Sequence, residues 1–221
     1  MARMSQVGGR WAAVRMRRYP LVIALVTILG AFAVPAASQE RGVAPVSERG
    51  KNEIGFWGGA SVAATPLIGT STDFDFGLAA LRYGRTLWEN GGLAFDWTVD
   101  IVPVALLSLD RSPDSTDGEH DTVYGAGLAP IGFRIAYEAL GWCRPYFAAT
   151  GGFLAFAERI PETGSKFNFT YDFGVGAQIP LNADMAVTVG YTYYHISNGG
   201  IGDANPGFDS NILYAGFSIF R

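Results

Sequence analysis

The chain has 221 residues, 49% of them apolar and 14% aromatic, and only 16% charged. Its aromatic content excludes a disordered chain, its single cysteine a disulfide scaffold, and its net charge of −4 a nucleic-acid partner. An apolar, glycine-rich chain remains, unlike a cytosolic enzyme in composition.

Residues 1–38 follow rules of their own. Arg3, Arg10, Arg15, Arg17 and Arg18 precede an apolar run from Leu21 to Val34, and the small residues Pro35-Ala36-Ala37-Ser38 follow. A basic start, a short apolar stretch and a small-residue exit describe a secretory signal peptide. The run falls short of the ~20 residues that span a bilayer as a helix. Cleavage after Ser38 is therefore expected, followed by a flexible lead-in over residues 39–51. The removed segment carries five of the sixteen basic residues and no acidic one, so cleavage leaves a more acidic chain.

Beyond it, segments alternate with period two, the pattern of strands with unlike faces. Ile54, Phe56 and Val62 mark the first. Phe74 to Trp88 is the second, with a change of parity that indicates a bulge. The third reads Leu93, Phe95, Trp97, Val99, Ile101 on one face and Ala94, Asp96, Thr98, Asp100 on the other. Val123 to Tyr137 is the fourth, and Pro145 to Glu158, again with a parity change, the fifth. Phe167 to Ile179 alternates as cleanly as the third. Ala186 to His195 and Asn211 to Phe220 complete the set of eight.

Short turns (Glu89–Gly92, Glu138–Cys143, Pro180–Asp184) alternate with longer polar links (Thr65–Asp73, Ser108–Thr122, Ile160–Lys166, Ile196–Ser210). Outer-membrane barrels show this alternation. The pattern predicts an all-β fold, an eight-stranded antiparallel outer-membrane β-barrel over residues 52–221. Charges such as Arg82, Asp96, Asp100, Arg134 and Asp172 share the face opposite the aromatic one. Each would cost ~2–4 kcal/mol unpaired near the bilayer midplane. The charged face is therefore expected inside and the aromatic face against lipid. That placement argues against a soluble barrel holding an apolar ligand in its lumen.

Of two histidines, His120 sits among Gly118, Glu119 and Asp121 and reads as a loop residue. No HxH, HExxH or paired Cys motif indicates a metal site, and no cofactor is expected. His195 and Ser197 continue the outward parity of Val187, Val189, Tyr191 and Tyr193 at the end of the seventh strand. Asp209 shares the outward parity of Asn211 and Leu213 on the eighth. Neighbouring antiparallel strands would place Asp209 beside His195, giving a candidate nucleophile, base and orienting acid. The competing reading is a non-catalytic structural barrel whose strand-end histidine lies in an aromatic belt.

The stretch Tyr193-Tyr194-His195-Ile196-Ser197-Asn198-Gly199-Gly200, followed by Asn205-Pro206-Gly207-Phe208-Asp209, resembles the signature of the PagL-type lipid A 3-O-deacylases. Arg144-Pro145-Tyr146-Phe147 and Phe167-Asn168-Phe169 are similar to segments of that family, so the likeness covers roughly residues 132–221. The resemblance implies a metal-independent outer-membrane esterase that removes the 3-O-linked acyl chain from lipid A of lipopolysaccharide in the outer leaflet. It implies His195 as base, Ser197 as nucleophile and Asp209 as acid, where the family often has Glu. Asn198 and the Gly200 backbone N–H fall at the oxyanion-hole positions. The acyl chains would then lie along Val187, Val189, Tyr191 and Leu213.

Overall fold

The computed structural model describes residues 52–64, 66–71, 74–110, 120–138 and 140–221. The expected signal peptide and lead-in lie outside the described residues. Eight strands follow in chain order: β1 (Asn52–Ala63), β2 (Phe74–Asn90), β3 (Leu93–Asp110), β4 (His120–Tyr137), β5 (Arg144–Ile160), β6 (Ser165–Pro180), β7 (Met185–Ser197) and β8 (Phe208–Phe220). Each pairs antiparallel with its sequence neighbour, and β1 pairs with β8 to close the barrel. Closure leaves no open sheet edge, as a spanning sheet in lipid requires. Among the described residues, no helix is long and apolar enough to cross a membrane.

The period-two pattern sets the faces. In β3, Ala94, Asp96, Thr98 and Asp100 are buried while Leu93 and Ile101 are exposed. Phe133, Phe147, Phe173 and Val175 also face outward from the wall. Inside, toward the end that carries the short turns, charges pair across the lumen. Arg82 binds both oxygens of Asp100 at 2.7 and 2.6 Å. Arg134 bridges Asp96 and Glu53, and Arg144 reaches Asp96, Glu138 and Gln178. Toward the other end the interior is apolar, filled by Phe74, Phe76, Leu107, Leu154, Ile196, Phe208 and Ile212. Buried charges are held by partners and the outer end is packed like a core.

The ladder is irregular in several places, among them β3 against β4 and β4 against β5. β2 shifts register against β3 between Ala79 and Leu81 and again between Thr86 and Trp88, and β5 shifts against β6 between Ala155 and Ile160. The β2–β3 turn is the pair Gly91-Gly92, with φ of 60° and 82°, the mirror-image turn that suits strand twist.

Two connections differ from expectation. β3 and β4 continue pairing through Ser108↔Thr122 to Asp110↔His120, so His120 has strand backbone rather than lying in a loop. Main-chain pairing outlasts the apolar pattern there, because ladder hydrogen bonds form whatever the side chain. Likewise β5 and β6 stay paired to Ile160↔Ser165, reducing the expected link Ile160–Lys166 to residues 161–164.

Candidate active site

The ends of β7 and β8 are fixed from within. Tyr194 stacks on Phe76 with ring centroids 5.3 Å apart, Phe208 meets Phe74 edge-on at 5.2 Å, and Ile196 is fully buried among them. Because alternate residues face opposite ways, anchoring Tyr194, Ile196 and Phe208 inward aims His195, Ser197 and Asp209 outward.

His195 and Asp209 lie opposite each other in the β7–β8 ladder, and Nδ1 is 2.5 Å from Oδ1. With the carboxyl ionised, Nδ1–H donates, leaving Nε2 as the basic nitrogen. The second oxygen, Oδ2, accepts three main-chain N–H bonds, from Leu67 (2.6 Å), Ile68 (2.8 Å) and Gly69 (2.8 Å). These belong to the β1–β2 connection, which docks on the segment before β8. Thr70 N–H donates to Pro206 O at 2.7 Å, Ser71 N–H to Gly207 O at 3.2 Å, and Ser71 bridges in parallel to Phe208. The docked segment covers two outward-facing residues, leaving His195 4% and Asp209 0% exposed. A buried carboxylate needs such donors, and charge-assisted bonds of this kind are among the strong ones. Tyr171 of β6 lies along the imidazole, ring centroids 4.8 Å apart.

Ser197 is partly exposed, two residues along the same face from His195 and opposite Phe169 of β6. Among the described residues no hydrogen bond joins it to His195. The structure thus brings His195 and Asp209, the expected base and acid, into contact and leaves the Ser197 hydroxyl adjacent. The loop after it is held by its own side chains. Asn198 N–H donates to Asn205 Oδ1 (2.9 Å), Asn198 Nδ2 to Ala204 O (2.7 Å), and Gly200 N–H to Asn198 Oδ1 (2.9 Å). Of the four residues expected to meet acyl chains, Val189, Tyr191 and Leu213 are exposed on the outer wall and Val187 is half-exposed. Tyr191 pairs with Leu213 and Val189 with Ala215. From His195 to Val187 this column runs about 26 Å along the tilted strand.

The profile of the family described as lipid A 3-O-deacylase (PagL) matches residues 74–218. The chain belongs to the lipid A 3-O-deacylase (PagL) family. Its place is the bacterial outer membrane. Among solved structures it is similar to the outer membrane enzyme PagL, at 18% identity over 74% of this chain and 97% of that one, TM-score 0.48. It is also similar to Neisserial surface protein A (NspA), at 13% identity over 77% and 96%, TM-score 0.44. OprG from Pseudomonas aeruginosa shares 12% identity over 78% and 97%, TM-score 0.43. No curated protein matches the chain.

In this PagL-family chain the β1–β2 connection escaped the sequence reading. Pro66-Leu67-Ile68-Gly69 is an apolar break in a polar link, which hints at contact but cannot show where its amides point. Tyr171 was legible only as an outward aromatic of β6.

Proposed function

We propose that the protein is an esterase that removes the 3-O-linked acyl chain of lipid A by a Ser-His-Asp mechanism. The observation that carries this reading is the 2.5 Å contact of His195 Nδ1 with Asp209 Oδ1 at the outer rim of a barrel of this family. Lipid A resides in the outer leaflet and reaches the wall laterally, its acyl chains along Val187, Val189, Tyr191 and Leu213.

In the first step the Ser197 hydroxyl turns toward His195. Strand neighbours two apart have Cα atoms about 7 Å from each other, within the span of the two side chains. Nε2 takes the hydroxyl proton as Oγ bonds to the ester carbonyl carbon, and the carbonyl oxygen becomes the oxyanion. Asp209 keeps the imidazolium oriented and balances its charge. Asn198 and Gly200 are the oxyanion donors in this reading. Their N–H groups must exchange partners within the loop, or the free Nδ2 hydrogen of Asn198 must serve. One such donor is worth about 3–4 kcal/mol in other acyl transfers.

The tetrahedral intermediate collapses by breaking the bond to the sugar oxygen, which takes the proton from Nε2. Water then gives a proton to Nε2 as its oxygen attacks the acyl-serine; the second tetrahedral intermediate collapses by breaking the bond to Ser197 Oγ, which takes that proton back from Nε2 as the fatty acid departs.

The test is mass spectrometry of lipid A from a host with unmodified lipopolysaccharide. Expression should remove one 3-hydroxyacyl group, and Ser197→Ala should abolish the loss. An unchanged lipid A beside a correctly inserted barrel would reject the enzyme.

A further inference from the structure

We infer that the β1–β2 connection, residues 66–71, is a positioning element for the acid, gripping Asp209 through main-chain amides so that one oxygen remains for His195. The inference rests on reading His195 and Asp209 as base and acid, and it assigns a working part to a segment remote in sequence.

Three consecutive amides, those of Leu67, Ile68 and Gly69, converge on one oxygen, Oδ2, at 2.6–2.8 Å. Oδ1 is left for Nδ1. A carboxylate held at one oxygen by three donors cannot rotate about its χ2 without breaking them, so the orientation of the imidazole is set from behind the acid. The side chains of the first two residues point away from the grip, with Leu67 67% and Ile68 60% exposed. The segment therefore turns its backbone to the site and apolar groups to the surroundings. This arrangement serves polar recognition rather than side-chain packing.

The approach depends on two glycines meeting face to face. A Cβ on Gly69 would fall 2.7 Å from the carbonyl carbon and oxygen of Gly207 and 3.0 Å from Asp209 Oδ1. A Cβ on Gly207, whose φ is +67°, would fall 3.0 Å from Gly69 Cα and 3.0 Å from His195 Cε1. At Gly69 no side chain fits without lifting the segment from the acid, and at Gly207 the left-handed backbone and the close contacts disfavour one. The main-chain bonds from Thr70 and Ser71 to Pro206 and Gly207 hold this contact closed.

The experiment uses nitrogen-15-labelled full-length protein in lipid nanodiscs, read by NMR and by turnover. In the wild type, the amides of residues 67–69 should exchange slowly and a far-downfield proton should mark the His195 Nδ1–H bond, vanishing in His195→Asn. In Asp209→Ala those three amides should exchange at least about tenfold faster, while amides at mid-barrel do not change. Gly69→Ala should lose or broaden the downfield proton. Its kcat should fall at least about tenfold with KM within about twofold, as expected when orientation rather than binding is lost. Should Gly69→Ala fail to insert, the exchange comparison with Asp209→Ala decides alone. Equal exchange of residues 67–69 in the two proteins, or a Gly69→Ala barrel with the downfield proton and kcat intact, would overturn the inference. A wild type with both NMR signatures but unaltered lipid A would uphold the positioning role while refuting the deacylase reading.

Discussion

Tyr171 lies across the β6–β7 ladder from His195, and its ring runs along the imidazole with centroids 4.8 Å apart and planes inclined at 31°. The imidazole is thus braced on its face by a phenol and on its edge by a carboxylate. The contact with the imidazole is made by the ring of Tyr171, so the ring supplies the brace. Tyr171→Phe should keep most of the turnover, whereas Tyr171→Ala, which opens a gap beside the imidazole, should lower kcat about tenfold or more. Steady-state deacylation of a defined lipopolysaccharide by the two purified variants checks the contrast.

Ser197→Ala removes the attacking oxygen and His195→Asn the proton acceptor. Each should lower turnover by about ten-thousand-fold, and the double variant should be little worse, because the groups act as a unit. Both face outward at the end of β7, so the barrel should still migrate as a folded species in unheated electrophoresis. A double variant far slower than either single one would break the unit apart.

The carboxyl at position 209 is matched in length to its surroundings. One oxygen is 2.5 Å from His195 and the other is within 2.8 Å of three amides. Asp209→Glu inserts a methylene between a fixed strand and a docked loop, and both sets of bonds cannot be kept at once. Activity should fall about tenfold or more despite the conserved charge. Asp209→Asn, which retains shape but presents an amide to the three N–H donors, should fall further, by about a thousandfold or more. Relative kcat values for the three side chains give the order Asp, Glu, Asn.

The barrel was legible because a wall between lipid and a packed lumen forces every second residue to one environment. β3 and β6 declare this directly over residues 93–101 and 167–179, and the parity break in β2 corresponds to the shift between Thr86 and Trp88, whereas the buried residues of β5 keep one parity throughout. The pairing of His195 with Asp209 followed from parity plus the expectation that consecutive strands are neighbours. Strand ends beyond the apolar pattern were not legible, as His120 shows, since main-chain hydrogen bonds form whatever the side chain. Nor was the grip of Leu67, Ile68 and Gly69 on Asp209. Amide direction is set by backbone torsion angles, here between residues 140 apart in sequence, and no side-chain pattern encodes it. For the same reason the sequence placed Asn198 and Gly200 near the site but did not reveal their bond to each other.

Arg134 joins two acids across the lumen, Glu53 and, at 2.7 Å, Asp96, and is 2% exposed. Arg134→Met fills similar space but leaves both carboxylates short of a cation. Removing one partner of a buried ion pair costs about 3–5 kcal/mol. The variant should unfold at correspondingly lower urea concentration in lipid vesicles, with activity at the distant rim unchanged while it stays folded. Equal urea midpoints would mean that Arg82 and Arg144 suffice to hold the lumen.

The opposite substitution tests the outer wall. Val175 stands in the middle of β6, paired with Phe147 of β5 and Tyr191 of β7, and is 56% exposed. If this face meets hydrocarbon, Val175→Arg should destabilise the inserted barrel by about 2–4 kcal/mol, while the same change near a rim should cost about 0–1 kcal/mol. Position 179, four residues toward the short-turn end of the same strand and also exposed, supplies the comparison through Ile179→Arg. The depth dependence separates lipid from water as the surrounding medium. A water-exposed wall would accept arginine equally at both heights, since surface substitutions away from special contacts usually fall within about 0.5 kcal/mol. Equal urea midpoints for Val175→Arg and Ile179→Arg in vesicles would therefore contradict the outward assignment of the aromatic face, and a deficit confined to Val175→Arg would fix the midplane of the bilayer on β6.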